Sequence, residues 1–353
     1  MQTIKNRTFY FDNLKGLLII LVVLFHLVPT ISGSPFQVLY SFVFMFHMPF
    51  FILISGYFSK NREKQARNAI SLLFLYYILS LLFYIFKGND IYIDINNIKN
   101  IEISYELFLR PFIGHNYTSW YLAVLFLLRI ICPCFTNIKY YPFFAFITAI
   151  AASLIEIDQY NIRRTLMLLP FFSIGFLLNK YNYNELKKKL LNKKIAIIST
   201  IILFILFIPL FITLKNNINN FDVALFSMGD VNLDMFFSRK RYFVIYDIFY
   251  YLLSFLLIYI IASLVNNKNN ILTKLGKNSL SIYFFHGFFT LPIRYHILNP
   301  LVKTGQVSMI MLAFIIALIT TLILVFIFSR DTLIKYTIDP LENFSKKFII
   351  KKD

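Results

Sequence analysis

Three of the chain's five histidines, His26, His47 and His286, lie inside long apolar runs. Imidazole has an ordinary pKa of about 6.5, so it takes and releases a proton near neutrality. Keeping an ionisable group deep in a helix of membrane-spanning length is costly, which makes each position a candidate functional residue. At about 1.5 Å of rise per residue, each histidine sits on the order of 12–18 Å from the cytosolic end of its run. That is near the midplane of a hydrocarbon core about 30 Å thick. Three imidazoles at one depth suit general acid–base work, although each also suits a structural hydrogen bond to a neighbouring helix.

The surroundings of each histidine add detail. Lys15 and His26 are eleven positions apart, close to three helical turns, and therefore project from nearly one face. Asp12 precedes Lys15 by one turn and is placed to pair with it at the membrane edge. His47 is followed by Met48-Pro49, and Pro49 frees the carbonyl of Met45 and bends the helix beside the histidine. Ser55-Gly56 then permits close helix approach. Tyr283 stands one turn before His286, where a Tyr–His hydrogen bond is the structural alternative. No carboxylate or cysteine joins the three histidines at that depth, so no metal site is expected. Cys132 and Cys134 flank Pro133, too close for an easy disulfide, and read as reduced structural residues.

Two further groups could bind rather than react. Arg163 and Arg164 open the sixth run, ahead of Leu169-Pro170-Phe171-Phe172. They either anchor at the interface or face an anionic glycan or phosphate. Trp120-Tyr121-Leu122 opens the fourth run and Arg129 lies nearer its inner end, a pattern that an aromatic belt plus a topology charge also explains.

The elements that must hold these residues follow from composition. With 58% hydrophobic and 15% charged residues, the chain reads as an all-α polytopic membrane protein of one domain over 1–353. About ten transmembrane helices are expected, at roughly 14–30, 36–58, 69–86, 119–135, 141–155, 165–179, 195–214, 243–265, 278–297 and 307–328. The first run lacks a small-residue cleavage site and is expected to stay as a span. The net charge of +18 falls mainly in alternate loops, which argues for topology and attraction to the lipid bilayer rather than for nucleic acid. It places both termini, the 59–68 loop and the Lys-rich 180–194 loop in the cytosol, in a multi-pass protein of the cell membrane. The longest outer loops are 87–118 and 215–242, the second carrying Asp222, Asp230, Asp234, Arg239, Lys240 and Arg241. No transporter-type internal repeat stands out.

Taken together, several stretches resemble the membrane acyltransferase 3 family. They are Asp12-Asn13-Leu14-Lys15-Gly16 leading to His26, His47-Met48-Pro49-Phe50-Phe51 leading to Ser55-Gly56-Tyr57-Phe58, Trp120-Tyr121-Leu122, Arg164 before Leu169-Pro170, and Ser279-Leu280-Ser281-Ile282-Tyr283 leading to His286. The match runs along essentially the whole chain, and the branch it is most similar to is the fucose 4-O-acetylase-like and capsular polysaccharide O-acetyltransferase group. The resemblance implies ten transmembrane helices and acyl transfer from acetyl-CoA or another acyl-CoA to a carbohydrate acceptor, without a tightly bound cofactor. Many relatives carry arginine where this chain has Lys15, which keeps the charge but loses the bidentate fork. An appended extracytoplasmic domain, found in some relatives, is not expected here. On this reading His26 is the general base, His47 or His286 orients it or binds the thioester oxygen, Lys15 with Asp12 meets coenzyme A, and Arg164, Arg163, Trp120 and Tyr283 meet substrate. A glycan or lipid-linked sugar transporter without acyl chemistry is the alternative, and a membrane sensor or assembly protein a third.

Overall fold

Inside a bilayer every backbone N–H and C=O must find a partner within the protein, so long apolar runs fold as helices. A computed structural model describes residues 8–28, 40, 42–59, 62–87, 118–135, 137–153, 161–215, 243–345 and 347, and among them there are helices and turns but no strand. The elements are α1 (Tyr10–Leu27), α2 (His47–Tyr57), α3 (Arg62–Lys87), α4 (Trp120–Phe135), α5 (Tyr141–Ala152), α6 (Ile162–Leu178), α7 (Tyr183–Lys189), α8 (Lys193–Lys215), α9 (Phe243–Leu264), α10 (Ile271–Lys277) and α11 (Ser279–Ile293). α11 continues through a π-helical turn, Arg294–Leu298, into α12 (Asn299–Lys303), followed by α13 (Val307–Phe328), α14 (Asp331–Tyr336) and α15 (Ile338–Phe344).

Each of the ten expected segments carries a helix. Among the described residues, four stretches are long and apolar enough to cross a membrane: Tyr10–Leu27, Asn68–Ile85, Asp247–Leu264 and Val307–Phe328. A fifth is added if α6 and α7, bent by 103° at their joint, count as one span. The helices at Phe42–Tyr57, Trp120–Cys132 and Tyr141–Ala152 are shorter. The expected loops 87–118 and 215–242 lie almost wholly outside the described residues, as do Lys5, Arg7 and the tail beyond Lys347. α13 is the most apolar candidate, with a mean hydropathy of 3.1 and only 28% of it buried, so most of its surface is left for lipid.

Two close crossings set the packing. Gly16 on α1 and Gly276 on α10 lie against each other's backbone: a Cβ at Gly16 would strike the Leu272 carbonyl, and one at Gly276 would strike the Asp12 carbonyl. The second crossing pairs Gly56 on α2 with Gly175 on α6, where added Cβ atoms would meet the carbonyls of Phe172 and Leu53. Small residues at such points let helix backbones approach closely enough for dispersion contacts along their length.

Polar bonds fix the first crossing. The Asn13 side chain, fully buried, donates to the carbonyls of Asn266 (2.9 Å) and Lys268 (2.8 Å) and accepts from the Thr273 hydroxyl (2.6 Å). The Thr273 oxygen also accepts from the backbone N–H of Asn270 (3.1 Å), while the Asn270 side chain accepts from the Thr273 N–H (3.3 Å), which caps α10. Tyr10 adds a backbone bond to the Asn267 side chain (2.8 Å) and a hydroxyl bond to the Ala262 carbonyl (2.7 Å). At the far end of α10, the Asn278 side chain donates to the Ser329 carbonyl (2.7 Å) and to Asp331 (2.8 Å), joining the start of α11 to the end of α13.

Gly276→Val is expected to separate α1 from α10 and to lower the thermal unfolding midpoint of the detergent-solubilised protein. Asn13→Ala, which strands the groups it served, is expected to cost about 1–3 kcal/mol for each buried group left without a partner. Unchanged midpoints in both variants would remove this crossing from the account of stability.

Candidate functional site

Helix α1 carries His26 near its far end, and α11 carries His286 near its middle. The two rings meet with centroids 5.0 Å apart at a tilt of 54°. His286 is fully buried. Its Nδ1 lies 2.7 Å from the Tyr283 carbonyl. A carbonyl oxygen only accepts, so Nδ1 carries the proton and Nε2 keeps its lone pair. That Nε2 is buried and makes no hydrogen bond among the described residues. Arg294 and His47 also lie within electrostatic reach of His26.

His47 begins α2 directly after a break in the helix at Met45 and Phe46. Its Nδ1 donates to the Val43 carbonyl at 2.8 Å, which fixes the ring by the same logic as at His286. Pro49 lacks the N–H that would have bonded the Met45 carbonyl. That carbonyl is taken up from α9, by the Ser254 hydroxyl (2.7 Å) and the Tyr250 hydroxyl (3.2 Å). The break beside His47 is thus satisfied by a neighbouring helix, with the expected freed carbonyl as its acceptor.

The start of α4 lies against the histidine-bearing helix. Tyr283 donates its hydroxyl to the Thr118 carbonyl, and the Ser119 and Ser80 hydroxyls meet at 2.9 Å. Tyr283 therefore touches His286 through ring contact at 5.7 Å and through its carbonyl, while its hydroxyl goes to Thr118 instead of to the imidazole. Rings continue outward from there: Tyr121 lies 5.4 Å from Tyr283, and Trp120, next in sequence, lies under the Arg164 guanidinium at 5.2 Å. Arg164, Trp120, Tyr121, Tyr283, His286 and His26 thus form one connected path.

The adjacent Arg163 faces elsewhere. It is buried, and its neighbourhood holds Asp247 of α9. At the opposite end of α1, Lys15 Nζ and Asp12 Oδ1 form the expected pair at 3.0 Å, partly open to solvent. Cys132 is buried and Cys134 exposed, and they form no disulfide. Among the described residues no group of three or more His, Cys, Asp or Glu side chains is placed to hold a metal ion.

Sequence reasoning passed over Arg294, Thr290 and Thr118 and gave Asn13 no role. Arg294 and Thr290 had a signal, since His286, Thr290 and Arg294 recur every four residues and so share a helix face. Thr118 and Asn13 had none, because their partners come from distant parts of the chain.

A family model described as an acyltransferase domain matches residues 8–330. No curated protein and no solved structure matches the chain.

The two arginines should separate in a stability measurement. Arg163→Ala removes a buried guanidinium from the neighbourhood of Asp247 and is expected to cost about 1–3 kcal/mol, part of which Asp247→Asn restores. Arg164→Ala, which gives up a cation–π contact, is expected to cost about 1 kcal/mol or less. Thermal unfolding of the three variants and the double variant checks this, and an Arg163→Ala protein as stable as the parent would remove the assigned role.

Proposed function

The chain belongs to the acyltransferase 3 family, and from that premise we propose that it moves an acyl group, acetyl in the simplest case, from acetyl-CoA to a sugar hydroxyl of a cell-envelope or capsular polysaccharide. The observation that carries this reading is the His26–His286 pair, with ring centroids 5.0 Å apart, His286 fully buried and His26 half-buried. A sugar hydroxyl is a weak nucleophile at neutral pH and needs a base at the moment of attack.

In the proposed reaction His26 takes the hydroxyl proton as the sugar oxygen attacks the thioester carbonyl carbon. The carbon–sulfur bond then breaks, and the departing thiolate of coenzyme A recovers a proton from His26. The lone pair on His286 Nε2 is available to accept a hydrogen bond from the other nitrogen of His26, which would orient the ring and steady its charged form. His47 stands behind this pair as a further electrostatic neighbour. Lys15, held by Asp12 at the opposite end of α1, supplies a positive charge for the phosphates of coenzyme A. Arg164 on Trp120 is assigned to the substrate side, with Tyr283 as the link to His286. A carrier for glycans or lipid-linked sugars would need none of this chemistry, and the family match lends that reading no support.

The same proposal treats 1–353 as one integral-membrane unit of ten spans in the cell membrane, with both termini in the cytosol. It draws support from the charge asymmetry of the loops. Cysteines introduced one at a time are expected to resist an impermeant thiol reagent in the 180–194 loop and to react in 87–118 and 215–242. Labelling of the 180–194 loop in intact cells would overturn this orientation.

The chemical step is tested with labelled acetyl-CoA in membranes containing equal amounts of each variant. His26→Ala and His26→Gln are both expected to lose about 10²–10⁴-fold in acyl transfer, the usual contribution of a positioned base. Glutamine keeps the ability to hydrogen-bond but takes no proton in this pH range. Substantial transfer by His26→Gln would therefore move the base assignment to His286 or His47.

A further inference from the structure

The reactive pair lies at one end of a longer polar face. His286, Thr290 and Arg294 are spaced four residues apart on α11 and its π-helical continuation, and their relative exposures are 0%, 0% and 5%. The face runs about 12 Å along the helix axis, away from the end of the bundle that carries Lys15. Thr118 adjoins it at Gly287, where a Cβ would contact the Thr118 side chain. Thr290 Oγ1 and Thr118 Oγ1 are both buried and make no hydrogen bond among the described residues. Buried polar atoms in this condition are costly to maintain, and two beside one face need a reason.

A reason is a ligand that supplies the missing partners. Threonine hydroxyls both donate and accept, as sugar hydroxyls do. A guanidinium adds selective, two-point recognition of a carboxylate or phosphate. Pro292 removes the backbone bond to the Phe288 carbonyl just before Arg294, and the helix widens into its π-helical turn there. We infer that the His286–Thr290–Arg294 face is the acceptor's binding track, and that Arg294 selects a glycan bearing an oxyanion, either a carboxylate or a phosphate. The inference rests on the acyl-transfer reading above and names the substrate class for that site.

The test uses glycan isolated from a strain lacking the gene, offered to wild-type membranes with labelled acetyl-CoA in three forms: untreated, with carboxylates amidated, and with phosphates removed. Label in the untreated glycan upholds acyl transfer by itself. Label in none of the three would overturn that reading and this one with it. The expected result is at least a ten-fold lower kcat/KM for whichever treated form has lost the recognised group, which also tells carboxylate from phosphate. Arg294→Gln should lose a similar factor on untreated glycan, mainly through KM, and should no longer distinguish the three forms. Its KM for acetyl-CoA should stay within about two-fold of wild type. Arg294→Lys should keep part of the preference, and it stands in if the glutamine variant fails to accumulate. Equal use of all three glycans by the wild type would overturn the inference, as would an unchanged preference in Arg294→Gln or Arg294→Lys.

Discussion

The fully buried Asn13 carboxamide is the interaction on which the site depends. Its three hydrogen bonds join α1 to the link between α9 and α10 and to the first turn of α10. The Gly16–Gly276 contact then brings the two helices to backbone distance. Because α10 leads through Asn278 alone into α11, the same clamp governs both histidine-bearing helices. Asn13 and His26 are thirteen residues apart, as are its bonded partner Thr273 and His286. Equal lengths of chain from one anchored bond deliver the two imidazoles to the same place.

A second theme is how the fold handles carbonyls left over at helix breaks and ends. The Met45 carbonyl is met by Ser254 and Tyr250, and the Thr118 carbonyl by Tyr283. The Tyr181 carbonyl, at the sharp joint between α6 and α7, accepts from Tyr57 (2.7 Å). Each donor is a hydroxyl from another helix, so bends that would be intolerable against lipid are stable within the bundle. Tyrosine suits this task because its ring packs among apolar neighbours while its hydroxyl reaches across to the acceptor.

Features decided by local chemistry were legible in the sequence. Apolar runs became helices, Pro49 freed the Met45 carbonyl, and Asp12 paired with Lys15 one turn on. Of the three histidines singled out within apolar runs, His26 and His286 meet. Features decided by distant partners were not legible. Asn13 bonds Thr273 across 260 positions, and Thr118 lies beside Tyr283 across 165, which no local pattern announces. Both adjacent arginines were expected at the substrate, with Arg164 in the family motif, and their different neighbours, Asp247 for Arg163 and Trp120 for Arg164, had no local signal. Arg294 was readable in principle, but its four-residue spacing from Thr290 and His286 stood out only once the burial of all three was known.

The Asn13 clamp also bears on how the protein is made. α1 leaves the ribosome about 250 residues ahead of α10, which at about 5–20 residues per second is a delay on the order of tens of seconds. Throughout that interval Asn13 has neither the loop carbonyls nor the Thr273 hydroxyl to bond, and His26 has no α11 beside it. Polar groups without partners favour water and headgroups over hydrocarbon. The first helix therefore remains shallow, or under the protection of the insertion machinery, until the last third of the chain arrives. Final seating of α1 is a late event in biogenesis, although α1 is the first helix to be synthesised.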